Sequence, residues 1–158
     1  MKTLTILLAA FAFQVLSSGS LHAQQYEYGV GIIIGEPTGL SGKLWWSDNT
    51  AFDAGLAWSF ADETEISLHG DLLLHNWELL RRAFGITGDT TDMPLYYGFG
   101  ARLKAGDNTR LGIRFPIGAA LVFPNYPIDF FVEIAPIMDV VPDTEIRGNA
   151  SIGFRFWF

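Results

Sequence analysis

The side chains best suited to chemistry gather in one short stretch. Glu65, Ser67, His69, Asp71 and His75 all stand at odd positions between 65 and 75. Imidazoles and carboxylates are the groups that move protons and ligate metals. In an extended chain they project from one face, with nearest same-face neighbours about 6.8 Å apart. His69 and Asp71 therefore share a proton or an ion only with help from a neighbouring strand. Ser67 lies beside them, but side chains that project in parallel from a strand offer a nucleophile no oxyanion hole. Phosphate-binding glycine loops are absent as well. Gly29-Val30-Gly31 and Gly98-Phe99-Gly100 fall inside alternating runs, where inward glycines make room for long side chains. The same acids and histidines have a second use, as members of a paired charge network with Arg102, Arg114 or Arg155 as partners. The reading adopted is that network, with no catalytic residue, no metal site and no cofactor.

These groups need elements to hold them, and the spacing along the chain supplies strands. From Tyr26 onward apolar and polar residues alternate with period two, and helical spacing is nearly absent. Phe52, Ala54, Leu56, Trp58 and Phe60 share one face, while Asp53, Gly55, Ala57 and Ser59 share the other. Eight such runs are expected, over 26–34, 39–47, 51–60, 65–75, 95–104, 109–123, 128–140 and 146–158. Turn-forming residues separate most of them, as in Glu36-Pro37-Thr38-Gly39, Asp48-Asn49, Asp62-Glu63, Gly106-Asp107-Asn108, Pro124-Asn125-Tyr126-Pro127 and Pro142-Asp143. Short turns between sequential strands make an antiparallel meander. Eight strands of this length close into an up-and-down barrel, which leaves no exposed edge.

Composition decides which face points inward. The chain has 158 residues, 49% hydrophobic and 15% aromatic, no cysteine, and 17 acids against 10 bases. Disorder and a disulfide scaffold are excluded by the apolar mass and the missing thiols, and nucleic acid is excluded as a partner by the acidic balance. The apolar face carries Trp46, Phe52, Trp58, Phe60, Tyr97, Phe99, Phe115, Phe123, Phe130, Phe154, Phe156 and Phe158, too much ring volume for the narrow lumen of eight strands. The opposite face carries Glu27, Asp53, Glu65, Asp71, Asp129, Glu133 and Asp139 against Lys43, Arg102, Lys104, Arg110, Arg114, Arg147 and Arg155, an equal number of each sign. Buried charges require such pairing, whereas a solvated face does not. The apolar face is therefore expected outside and the charged face inside. The remaining acids lie in connections and at strand ends, where Arg81 and Arg82 are the only bases.

The first residues read as a secretory leader. Lys2 precedes an apolar run over 4–16, then small and polar residues, then Ala23, which places cleavage after Ala23 and a barrel domain over 24–158. The run is shorter than the ~20 residues of a membrane-spanning helix. At the other end, Ser151-Ile152-Gly153-Phe154-Arg155-Phe156-Trp157-Phe158 alternates up to a terminal aromatic. This strand, together with the leader, the eight amphipathic runs and the absence of cysteine, resembles the small OmpA/OmpX-type outer-membrane β-barrels of Gram-negative bacteria over the whole mature chain. The resemblance implies an all-β transmembrane barrel in the outer membrane, with Phe154, Phe156 and Phe158 as the signal read by the barrel-assembly machinery. It also implies periplasmic chaperones during biogenesis, and lipids and lipopolysaccharide as neighbours. It brings no activity with it.

Glu27, Lys43, Asp53, Glu65, His69, Asp71, Arg102, Arg114, Glu133 and Arg155 are accordingly expected to form a charge network that fills the lumen. Two other readings are weighed: a lipid-modifying outer-membrane enzyme using His69, Asp71 and His75, and a secreted lipocalin-like barrel with a ligand inside. The longest connection, 76–94, falls on the same side as the chain termini. Its segment 78–84 lacks alternation and suggests one or two helical turns carrying Arg81 and Arg82 toward anionic headgroups.

Overall fold

A computed structural model describes residues 27–59, 65–85, 92–106 and 109–158. The expected leader at 1–23, Phe60, the Asp62-Glu63 turn and Asp107-Asn108 lie outside the described residues. Among the described residues there are nine strands and one short helix. They are β1 (Tyr28–Gly35), β2 (Gly39–Ser47), β3 (Thr50–Ser59), β4 (Glu65–Asn76), α1 (Leu79–Phe84), β5 (Leu95–Ala105), β6 (Arg110–Arg114), β7 (Ile117–Phe123), β8 (Ile128–Val141) and β9 (Glu145–Trp157).

All strands belong to one antiparallel sheet that closes on itself. β6 and β7 are two halves of a single stave, because β5 and β8 pair with both of them. The ring therefore has eight staves. The expectation of one continuous strand over 109–123 is corrected here: the stave breaks at Phe115-Pro116. Proline has no N–H to give the ladder. The backbone bridges the gap with Phe115 N donating to Pro136 O and Gly98 N donating to Pro116 O, both at 2.9 Å. The seam is closed by β1 and β9 over seven registered pairs from Gly29↔Trp157 to Gly35↔Ser151. Phe158 N continues the seam by donating to Tyr28 O at 2.8 Å.

Side chains obey the period-two rule on every stave. On β8, Asp129, Phe131, Glu133, Ala135, Ile137 and Asp139 are buried, while Phe130, Val132, Ile134 and Met138 are exposed between them. Cross-strand register joins the outward residues into a continuous apolar row: Phe130, Phe154, Ile32, Leu40, Leu56, Leu68, Leu103 and Leu111. An exposed apolar band of that extent marks a surface made for a non-aqueous partner. A barrel with its apolar face inward, as a lipocalin-like carrier requires, is the inverse of this arrangement.

The two ends differ. Residues 48–49, 77–94 and 124–127 connect strands at the end where both termini of the ring lie, and 36–38, 60–64, 106–109 and 142–144 connect them at the other. At the second end the β1–β2 turn needs glycine at Gly35, whose φ is +132°. Thr38 Oγ1 locks that turn, accepting from Gly35 N at 3.1 Å and donating to Gly35 O at 2.8 Å. At the terminal end Asn76 Oδ1 accepts from Glu78 N and Leu79 N and so starts α1. Gly85, in the left-handed region, ends it. No residue of α1 is buried, and no helix among the described residues is long and apolar enough to cross a membrane.

Candidate functional site

The interior is built from long charged side chains set beside very small ones. One inward row runs through Asp129, Arg155, Gly31, Ser41, Gly55, His69, Arg102, Gly112 and Asp139. Glycine or serine flanks Arg155, His69 and Arg102 on at least one side. The spacing is steric: a Cβ at Gly55 would collide with the His69 ring, and one at Gly112 would collide with Asp139. Gly100 clears the same space beside Asp71.

A ladder of ion pairs occupies the space so made. Nearest the mouth opposite the termini, Lys104 pairs with Glu65, and Arg147 reaches both Glu145 at 2.5 Å and Asp139 at 3.3 Å. One step inward Arg102 Nη2 donates to both oxygens of Asp139, at 2.7 and 2.9 Å. At mid-depth Arg114 bridges Asp71 and Glu133, and Tyr96 donates its hydroxyl to Glu133 at 3.1 Å. Arg155 donates to Asp53 at 2.5 Å and to Asp129 at 3.2 Å, with its guanidinium 4.0 Å from the centre of the Phe131 ring. Trp157 Nε1 donates to the other oxygen of Asp129 at 3.1 Å. Toward the terminal end Lys43 Nζ lies in hydrogen-bond contact with His75 Nε2 at 2.7 Å and sits over the rings of Trp45 and Tyr96.

Lys43, Asp53, His69, Asp71, Arg102, Arg114, Glu133 and Arg155 are thus all buried in the lumen. Glu65 is half-buried at the mouth. Glu27 is not part of the ladder. It precedes β1 and stands exposed at the terminal rim, because the ring begins one residue later. His69 and Asp71 come together with Asp53 from β3, but His75 goes to Lys43 at a different depth. The set His69, Asp71 and His75 therefore does not converge, and it faces the lumen rather than the lipid side. Phe154 and Phe156 lie on the outer side of β9, where Phe154 packs on Phe130 and Phe156 on Phe158, each at 5.1 Å between ring centres.

Each mouth is a shallow cavity. The one at the terminal end, about 480 Å³, is walled by Trp45, Trp77 and Trp157, whose rings stack at 5.7 and 6.2 Å. The opposite one, about 450 Å³, is polar, with Ser67, Arg102, Lys104, Arg110 and Arg147 in its wall. Tyr96, Trp157 and the three-indole stack are the parts that a search for charges passes over. Alternation alone would have found Trp157, since it puts 155 and 157 on one face and 154, 156 and 158 on the other.

The N-terminal β-barrel domain of Pseudomonas aeruginosa OprF superposes with a TM-score of 0.58 over 85% of this chain and 98% of that domain, at 10% sequence identity. The fold is that of a small eight-stranded outer-membrane β-barrel. The outer membrane enzyme PagL aligns with a TM-score of 0.47 over 82% of this chain and 97% of its own, at 16% identity. Yersinia pestis Ail aligns with a TM-score of 0.38 over 85% and 100%, at 12% identity. No protein-family model and no curated protein sequence matches the chain. At these identities the likeness is one of fold, so the barrel's own residues must carry any statement about its task.

Proposed function

We propose that this protein is an integral barrel of the Gram-negative outer membrane with a structural or surface-interaction role and no catalytic site, its lumen closed by the ion-pair ladder. One observation carries the reading: a ring without edges that is apolar outside and filled with paired charges inside. In hydrocarbon every backbone polar group must be paired within the protein, and a closed barrel does so. A water-soluble protein gains nothing from so wide an apolar belt. The lumen residues Lys43, Asp53, Glu65, His69, Asp71, Arg102, Arg114, Glu133 and Arg155 act in this reading as a rigid filling that holds the wall.

The partners follow from the surface. Membrane lipids and lipopolysaccharide cover the belt, and short acidic connections meet water at both rims, where divalent cations bridge them to anionic headgroups. Phe154, Phe156 and Phe158 form the outward edge offered to the barrel-assembly machinery after periplasmic chaperones deliver the chain. Residues 1–23 act as a cleaved export leader, and 24–158 form the barrel domain. No cofactor is assigned.

Migration in gels tests this directly. The protein should resist extraction by salt or alkaline carbonate, dissolve in detergent, and run at a different apparent mass before and after boiling. A protein recovered in the soluble periplasmic fraction without detergent would overturn the proposal.

A further inference from the structure

Three ligating side chains in the lumen stand apart from the pairing logic of the ladder. Asp53 and Asp71 face each other directly across β3 and β4, a placement in which like charges repel. Each is held by a different arginine, Asp53 Oδ1 by Arg155 and Asp71 Oδ2 by Arg114. That leaves each carboxylate a second oxygen. His69 sits two residues from Asp71 on the same face, laid over Gly55. One ligand atom from each of Asp53, His69 and Asp71 lies within 4.8 Å of the other two.

A second observation points to a missing partner. His69 Nδ1 and Asp71 Oδ1 are both fully buried and accept or donate no hydrogen bond, although both residues are only 3% exposed. Buried polar atoms are usually paired; His75 Nδ1 and single nitrogens of Arg102, Arg114, Arg147 and Arg155 also lack a hydrogen-bond partner, but His69 and Asp71 are the two orphan-bearing residues that fall within one cluster of potential ligands.

We propose that Asp53, His69 and Asp71 bind a divalent first-row transition-metal ion inside the barrel, with zinc as the representative. One imidazole and two carboxylates make a mixed nitrogen and oxygen set of the type zinc accepts, at metal–ligand distances of about 2.0–2.2 Å. Tetrahedral ligands at those distances stand about 3.4 Å apart, so an ion would draw the three ligand atoms together from a spacing of up to 4.8 Å. Because each aspartate uses its spare oxygen, the ion adds to the ladder without displacing either arginine. The polar mouth cavity is the side from which an ion would approach: it has Ser67 and Arg102 in its wall, and His69 follows Ser67 on the inward face and pairs in register with Arg102. Gly55 is the positioning residue, since only hydrogen at that place lets the imidazole lie flat against β3.

The test uses the folded protein in detergent micelles, purified without a histidine tag and stripped with a chelator. Dialysis against Zn²⁺ followed by metal analysis should give one equivalent per chain, and the thermal unfolding midpoint should rise. His69→Gln should abolish saturable uptake. Asp53→Asn and Asp71→Asn should each weaken it at least tenfold, Gly55→Ala should weaken it by displacing the ring, and His75→Gln should leave it unchanged. A measurement on the unmutated chain guards against variants that do not fold: with ¹⁵N-histidine labelling, Zn²⁺ should shift the ring nitrogens of His69 and spare those of His75. Absence of saturable uptake, uptake that survives His69→Gln, or His69 nitrogens that respond to protons but not to Zn²⁺ would each overturn the proposal.

Discussion

Arg114 is, like Arg155, a 1% exposed side chain that holds two carboxylates, and its partners, Asp71 from β4 and Glu133 from β8, come from staves on either side of its own. Its desolvation is offset only because both partners are present. Arg114→Met should therefore leave two buried acids uncompensated and destabilise the barrel by about 3–5 kcal/mol, measured by urea unfolding in micelles with tryptophan fluorescence. The triple change Arg114→Met, Asp71→Asn, Glu133→Gln should lose less than the single one, since it removes the unpaired charges along with the pair. A single variant no less stable than the parent would show that water reaches these groups. The identity of the inward charges was legible from alternation, which separates Asp53 from Phe52 and Arg155 from Phe154. Their partners were not. Which arginine meets which carboxylate depends on the stagger of the staves and on how far each guanidinium reaches over a glycine such as Gly112, and period-two spacing encodes neither.

At the level of the strand the two faces make unequal demands. Leu56 lies near the middle of β3 in the row that links Leu40 to Leu68, and its side chain is exposed on the outer side. Leu56→Arg places a charge in that belt and should cost about 2–4 kcal/mol of folding free energy in lipid vesicles, whereas Ile146→Arg at the rim, where β9 begins, should cost roughly 0–1 kcal/mol. Equal costs at the two sites would mean that the belt does not sit in hydrocarbon. The boundaries of most strands were readable from turn chemistry: Glu36-Pro37-Thr38-Gly39 ends β1 and opens β2 where expected. The break between β6 and β7 was also written in the chain, at Pro116, but a strong alternation over 109–123 obscured it. The short helix α1 was readable from the loss of alternation, and Gly85 marks its end.

The whole molecule sets one orientation problem. Eight staves bring both ends of the ring to one side, and that side also carries the longest connection, with α1 and its exposed Phe84. Outer-membrane barrels keep short turns on the periplasmic side and long loops outside, so the connection breaks the usual pattern if the termini face the periplasm. The termini do so when the chain arrives through an export leader and its last strand is delivered from within. The acidic turn at Pro142-Asp143 then faces the medium, and Arg81 of α1 lies near the anionic headgroups of the inner leaflet. The absence of cysteine makes the arrangement measurable, because any introduced thiol is unique. Asp143→Cys should react with a membrane-impermeant maleimide on intact cells. Phe84→Cys, at a side chain 72% exposed, should react only after the outer membrane is permeabilised. Neither site is in the ladder or the belt, so both variants should fold, which heat-modifiable migration verifies in the same samples. The reverse labelling pattern would turn the barrel over. It would put the long connection outside and the polar mouth, with Arg102 and Ser67 in its wall, toward the periplasm.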